Sequence, residues 1–572
     1  MPTALLGLML LVAPADFEQE LVDRAVAQLG GTIVPQPEGS IIDEVLISSD
    51  EIMSERDPWP NFFNWFHADT RRHIVEREVL LSPGEPWDAE RALETERNLR
   101  RMVIFAVVRV VAIRRDGPPG HVSLLVTTKD RWSLRLNSEF TIVGNLVQYL
   151  RLRPAEMNFL GRNVQAAADV LMKLDTIDFG QYLLFPRLFG QKFRLAETAS
   201  LVFNRNTARL EGSTGYVLVD RPFYSLGQRW AWAAFGQWNS RRQRVFRGAT
   251  VWELESPSAG LVPFEYDARS FSVEANATRR FGTHWLLDVT LGGFGYDSVA
   301  RPPGELSAEQ GEFLRREYLP RSESAAGLAA RLRFFEARFI KLRNIDTLEI
   351  SEDFQLGPLV QSATRWALPL PFTSTPGVPT GNGFLETTLS VRYRWYFGGD
   401  LLTVSASGTA RFITGGLPQN RRYLFEVVNY SPLFEGGRLY TRLVADIRQN
   451  DLNNTQVLLG GGNGLRGTAP DELTGRNYLL GNFEYRTRPF EIATVYTSIV
   501  LFYDVGSAFA DHPTFIHTTG IGLRIMLPQF NQEVLRVNLG LVIGGGPASL
   551  SRLVTTLSEP QGLGPDFLNN PP

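Results

Sequence analysis

Six histidines are the first residues to test for chemistry: His67, His73, His121, His284, His512 and His517. None stand in the H-x-x-x-H spacing that puts two ligands on one helix face, and cysteine is absent. Neither a zinc site nor thiolate catalysis is therefore implied. His512 and His517 lie five apart beside a loop, a placement that suits solvated rings. No G-x-S-x-G elbow and no phosphate loop occurs. Gly462 to Gly467 spells G-x-G-x-x-G. A dinucleotide site would need a βαβ unit around it, and Pro470 stands where the helix should open. Carboxylate pairs abound among 61 acidic residues, and none is singled out by context. The residues predict a protein with no catalytic function, no cofactor and no metal.

Composition narrows the class. The net charge of -3 supplies no positive field for nucleic acid. Aromatics make up 11% and glycine 51 residues, yet mean hydropathy is only -0.11. A helical membrane protein of this length would show several runs of about 20 apolar residues, and there are none. A transmembrane barrel needs none, because only alternate residues face lipid.

Residues 1–15 read as a signal peptide, with an apolar stretch from Ala4 to Val12 before Ala13-Pro14-Ala15. Residues 16–39 follow as a helical segment and linker, with Leu21, Val22, Ala25, Val26 and Leu29 at helical spacing before Gly30-Gly31. Over 40–130 the pattern predicts one small α+β domain in the order β-α-α-β-β. Ile41 to Ser48 is its first strand, followed by a polar, aromatic insert from Asp57 to Phe66. His67 to Thr70 caps a helix running to about Leu81. Ser82 to Pro86 breaks that helix, and a second one directs Ala92, Leu93, Leu99 and Met102 inward. Strands at Phe105–Ile113 and His121–Lys129 close the domain.

From 131 to 548 short alternating runs follow one another without a helix. HWLLDVTLGGFGY is typical, with Trp285, Leu287, Val289 and Leu291 as one alternate set. At roughly 25 residues per strand and loop, about 410 residues give on the order of 16 antiparallel strands. The first lies within Trp132–Val143 or begins near Leu150, and Glu533–Gly544 is the last, leaving 549–572 as a tail. A propeller would need a repeat of about 40 residues, and none is found. Ala300–Ser324 and Leu368–Gly383 have the texture of long extracellular loops.

Three places carry a family likeness. In the small domain Arg77 and Glu78 precede Leu80 and Leu81, Gly84 and Pro86 mark a turn, and Arg97, Leu99 and Phe105 follow. This is similar to a POTRA framework, a packing signature rather than chemistry. Gly464-Leu465-Arg466-Gly467 is similar to the family's V-R-G-[FY] loop motif, with Thr468 in place of the aromatic. Phe502 to Gly506 matches F-x-D-x-G on a late strand. On these residues the chain resembles the BamA/TamA-like POTRA-plus-barrel superfamily, the bacterial surface antigen family. The resemblance implies that the loop folds into the lumen and that Arg466 pairs with Asp504, with Glu484 as the second candidate partner. Gly506 completes the wall motif.

The fold so implied is a transmembrane antiparallel β-barrel of about 16 strands, preceded by one POTRA-like domain, in a bacterial outer membrane with that domain in the periplasm. The implied function is insertion or translocation of proteins, templating client strands at the POTRA edge or at the barrel seam. Its partners would be outer-membrane lipid, an exported or membrane-inserting client polypeptide and periplasmic chaperones, with no nucleic acid. Two other readings stay open: a passive diffusion or lipid-handling channel, and a surface-structural barrel acting through its loops.

Overall fold

A computed structural model describes residues 17–50, 68–115, 117–143, 146–368, 383–492, 494–528, 534–544 and 554–558. The expected signal at 1–15, the insert at Asp57–Phe66 and nearly all of the Leu368–Gly383 loop lie outside them.

The N-terminal elements are α1 (Phe17–Leu29), β1 (Thr32–Ile33), β2 (Ile41–Asp50), α2 (Arg72–Glu76), α3 (Ala89–Arg100), β3 (Phe105–Arg114) and β4 (His121–Asp130). The strands form one sheet in the order β1-β3-β4-β2, with β2 parallel to β4 and the other pairs antiparallel. Because side chains alternate along a strand, Leu124 and Val126 face α2 and α3 while Leu125 faces the other side. There α1 lays Val22, Ala25 and Val26 against Leu125 and Ile113. Residues 17–33 are therefore a layer of this domain, and the expected separate linker segment is corrected. An apolar stripe of that width needs a partner, and the second face of the sheet is the one at hand.

Two local expectations also change. α2 spans only five residues, and its N-cap is Arg71, without a side-chain cap. Thr70 instead donates its amide to Asp130 Oδ2 at 2.7 Å, so the residue expected to cap the helix ties it to the end of β4. α3 is capped as its sequence suggests, Asp88 accepting from the Arg91 amide at 3.0 Å. It buries Ala92 and Leu99 but leaves Leu93 44% exposed, on the far side of the helix from that core.

Beyond residue 133 the chain is a β-barrel. Its strands are β5 (Leu134–Val143), β6 (Leu146–Glu156), β7 (Gln165–Lys173), β8 (Thr176–Phe185), β9 (Arg194–Asn204), β10 (Leu210–Arg221) and β11 (Trp230–Arg244). They continue as β12 (Glu265–Phe281), β13 (Trp285–Arg301), β14 (Glu323–Glu336), β15 (Gly357–Leu368), β16 (Phe384–Phe397), β17 (Asp400–Ile413) and β18 (Gln419–Tyr430). The last are β19 (Gly437–Gln449), β20 (Asn477–Thr487, prolonged by Phe490–Ile492), β21 (Val495–Phe509), β22 (Ile516–Met526), β23 (Leu535–Gly544) and β24 (Val554–Ser558). Each pairs antiparallel with the next, and β24 returns to β5.

This makes twenty strands among the described residues, where about 16 were expected. Several hairpins turn in two residues, as at Leu174-Asp175 and Gly398-Gly399, so the mean repeat is shorter than a long-loop barrel would have. The final strand is β24 rather than Glu533–Gly544, so the expected tail contains the strand that meets β5. The Ala300–Ser324 stretch also holds α4 (Ala308–Glu317), closed at its start by a capping box of Ser307 and Gln310.

Alternation sorts the wall. On β12 and β13 the outward set includes Phe271, Val273, Leu287 and Leu291, all exposed. The inward set includes Arg280 and Asp288, both buried and paired at 2.7 and 2.8 Å. Apolar residues outside and paired charges inside are what a barrel in lipid requires.

Candidate functional site

The segment between β19 and β20 turns back into the barrel. Its stem is a two-strand ladder, Val457–Leu459 against Leu473–Gly475. Its tip is held by its own backbone: Leu465 N donates to Gly460 O and Gly461 N to Ala469 O, both at 3.1 Å. Gly464 and Gly467 have φ of 124° and 86°, a region closed to most side chains. This turn projects Arg466 at the wall.

There β20 and β21 run side by side with Asn482 opposite Asp504. On the inward face of β21 lie Phe502, Asp504 and Gly506, two residues apart. Arg466 bonds Asp504 twice, Nε to Oδ2 at 2.8 Å and Nη2 to Oδ1 at 2.7 Å. Its Nη1 donates to Glu484 Oε1 at 2.5 Å, and its own amide reaches Asp504 Oδ2 at 3.2 Å. The guanidinium lies 4.0 Å from the Phe502 ring centre. Asp504 is wholly buried, and a buried carboxylate is tolerated only when its lone pairs are so engaged. A side chain on Gly506 would meet Leu459 and Leu465 at 3.0 and 3.2 Å, so the bare Cα lets Leu465 lie on the wall. The structure thus brings Gly464, Leu465, Arg466, Gly467, Glu484, Asp504 and Gly506 into one cluster. Thr468, in the place of the motif's aromatic, is buried and donates to Leu465 O at 2.8 Å, which braces the turn from within.

Residues not singled out in the sequence complete the cluster. Asn482 donates to Gly464 O at 2.7 Å and to Asp504 Oδ1 at 2.8 Å. Arg486 donates to Glu484 Oε2 at 2.7 Å. The signal was present: in GNFEYR, Asn482, Glu484 and Arg486 share one face of a strand.

The loop tip also touches β5 and β23, the strands on either side of β24. Among the described residues β24 and β5 share three residue pairs, Thr556 with Val143, Leu557 with Ile142 and Ser558 with Thr141. A side chain on Gly461 would strike Val143, one on Gly462 would strike Thr141, and one on Gly467 would strike the Leu541 amide on β23, each at 2.8 Å.

The N-terminal framework residues serve packing and docking. Leu99 and Phe105 are buried core. Gly84 turns at φ 85°, and Pro86 bridges to Ile41. Arg77 ends α2 and lies against Gly190 in the loop after β8, while Glu78 pairs with Arg187 at 2.6 Å. Asn98 donates to Tyr224 O at 2.6 Å. The densest contact is to a hairpin between β14 and β15, Phe339–Arg343 against Ser351–Gln355. Glu96, 2% exposed, pairs with Lys341 at 2.5 Å and with Arg100, which also pairs with Asp353. The tip of the same hairpin enters the barrel, where Tyr430 donates to Asp346 and Arg486 to Ile345 O. Two residues, Arg486 and Glu484, link this hairpin to Arg466.

Among the described residues no cluster of three metal-ligating side chains occurs. His517 bonds Tyr503 at 2.7 Å, and His67 lies outside them.

By sequence, no protein-family model and no curated protein matches the chain. Among solved structures it is similar to CdiB from Acinetobacter baumannii, at 12% identity and a TM-score of 0.43, over 91% of this chain and 73% of that one. CdiB from Escherichia coli is similar at 11% identity and 0.42, over 95% and 97%. BamA from Haemophilus ducreyi lacking POTRA domains 1–3 is similar at 11% identity and 0.34, over 91% and 84%.

Proposed function

We propose that this chain is a non-enzymatic outer-membrane factor that inserts or translocates client polypeptides, with its α+β domain, a POTRA-like unit, in the periplasm. The observation that carries the reading is the loop arginine seated on Phe502, Asp504 and Gly506, in the arrangement the two sequence motifs imply. A barrel that only conducts solute has no need of a loop arginine buried against its wall between two carboxylates.

Two further features support it. β2 is the last strand of its sheet; its start is bonded to residues 84–87, and from Leu46 onward its outer edge has no strand partner among the described residues, which suits pairing with an extended peptide. The domain is docked on the barrel through Glu78, Asn98 and Glu96, a fixed attachment that suits handing a peptide from the domain to the barrel. No energy source is required, because strand pairing and burial of apolar faces in lipid drive insertion.

A photo-crosslinking residue at Ser48 on β2 tests the reading in cells. Crosslinks to unfolded outer-membrane polypeptides, together with loss of client assembly on deletion of residues 43–128, are the expected result. Small-solute conductance in planar bilayers with client assembly unaffected would overturn it in favour of a channel.

A further inference from the structure

A cavity of about 310 Å³ opens inside the barrel beside the arginine clamp. Its lining carries six arginines, Arg438, Arg442, Arg466, Arg486, Arg524 and Arg536, against two carboxylates, Asp346 and Glu484. Four of the arginines form two direct cross-strand pairs: Arg438 faces Arg486 between β19 and β20, and Arg524 faces Arg536 between β22 and β23. Like charges directly opposite one another destabilise a sheet. Two such pairs around one cavity call for negative charge between them.

The carboxylates present are already committed. Glu484 serves Arg466 at 2.5 Å, Arg486 at 2.7 Å and Arg524 at 3.6 Å. Asp346 accepts from the Tyr430 hydroxyl at 2.7 Å. Arg438 is left over. It is 6% exposed, its Nε and Nη1 have no acceptor among the described residues, and it makes no ion pair among them. A guanidinium buried to that degree without an acceptor is costly, and one that lines a cavity has a site where an acceptor can stand. Arg536, across the cavity, likewise has no carboxylate partner among the described residues.

We propose that this cavity binds a phosphate group, with Arg438 as its principal donor and Arg536 facing it across the cavity. Guanidinium forks match phosphate oxygens two at a time, and a dianion offsets both arginine pairs where a single carboxylate would not. The volume leaves room for substituents, so either inorganic phosphate or the phosphomonoester of a lipid headgroup meets the same chemistry. The inference stands on the cavity alone and does not depend on any client.

The test uses the full chain purified in detergent micelles. Inorganic phosphate and dihexanoyl phosphatidic acid are titrated by calorimetry at constant ionic strength set with chloride. Saturable binding near one per chain is expected for at least one probe, weakened tenfold or more by Arg438→Gln and by Arg536→Gln but not by Arg315→Gln on exposed α4. Binding of both probes supports a site for free phosphate; binding of the lipid probe alone supports a headgroup site. Arg536 is exposed to the lumen, so its variant carries the test if Arg438→Gln fails to give a heat-modifiable folded band. No saturable binding of either probe, or binding unchanged in the luminal variants, would overturn the proposal.

Discussion

Arg466 and Asp504 meet as two parallel hydrogen bonds, 2.8 and 2.7 Å long, between a loop and a strand 38 residues apart in sequence. Removing one partner of a buried pair leaves the other charge uncompensated, at a cost of about 3–5 kcal/mol. Asp504→Asn should therefore lower the unfolding midpoint of the barrel and open the 460–468 loop to proteases. Arg466→Lys should do much of the same, because an ammonium cannot bond Asp504 twice and reach Glu484. Unchanged protease resistance in Asp504→Asn would remove the clamp from the account.

Gly506 should be intolerant of size for a reason that a second substitution can expose. Gly506→Val drives side-chain atoms into Leu459 and Leu465, and overpacking of this kind costs about 1–3 kcal/mol. Adding Leu465→Ala should recover part of that loss, a coupling that a double-mutant cycle on unfolding midpoints measures. Strict additivity would mean that the two residues do not share the space.

Glu96 is the hub between the N-terminal domain and the barrel. Its carboxylate holds Lys341, Arg100 and, at 3.2 Å, the Val110 amide. Glu96→Ala should free the 339–355 hairpin, seen as faster hydrogen exchange there and at Arg486's neighbours on β20. Faster exchange in the hairpin alone would show that the connection to the loop clamp does not transmit.

Glu94 gives the domain contact a pH dependence. Burial raises its carboxyl above the ordinary range, against the pull of the Leu226 amide, Arg97 and Arg101. A folded pKa raised above the unfolded value of about 4.3 contributes stability that is complete below that value and is lost as pH rises through the folded pKa. The contact between α3 and residues 222–229 should therefore loosen from pH 5 to pH 8. Hydrogen exchange of that loop, corrected for intrinsic rates, should show it, and Glu94→Gln should flatten the response.

How much of this the sequence carried depends on the range of the interaction. The barrel was legible because alternation is local, and HWLLDVTLGGFGY places its own Leu291 outward without reference to any neighbour. Arg466, Asp504 and Glu484 were legible because the resemblance to a family's loop and wall motifs singles them out. Arg438 was not, since it matters only through Arg486, which register places opposite it 48 positions away. Strand number was misjudged for a similar reason, because two-residue turns such as Leu174-Asp175 do not stand out from the strands they join. α4 hid in a stretch read as loop, though Ser307 and Gln310 carry its capping signal. α1 was seen as a helix and its partner missed, because nothing in Phe17–Leu29 says which face of which sheet it covers.

A closed wall is only as continuous as its least-paired junction. Among the described residues β11 and β12 meet in 15 residue pairs, β24 and β5 in three. The 460–468 loop lies against β5 and β23, the strands that flank β24, while its arginine is moored on β20 and β21. The loop is thus a strut that reaches the flanks of the sparsest junction from a mooring where pairing is dense, and it ties the two stretches of wall together from inside.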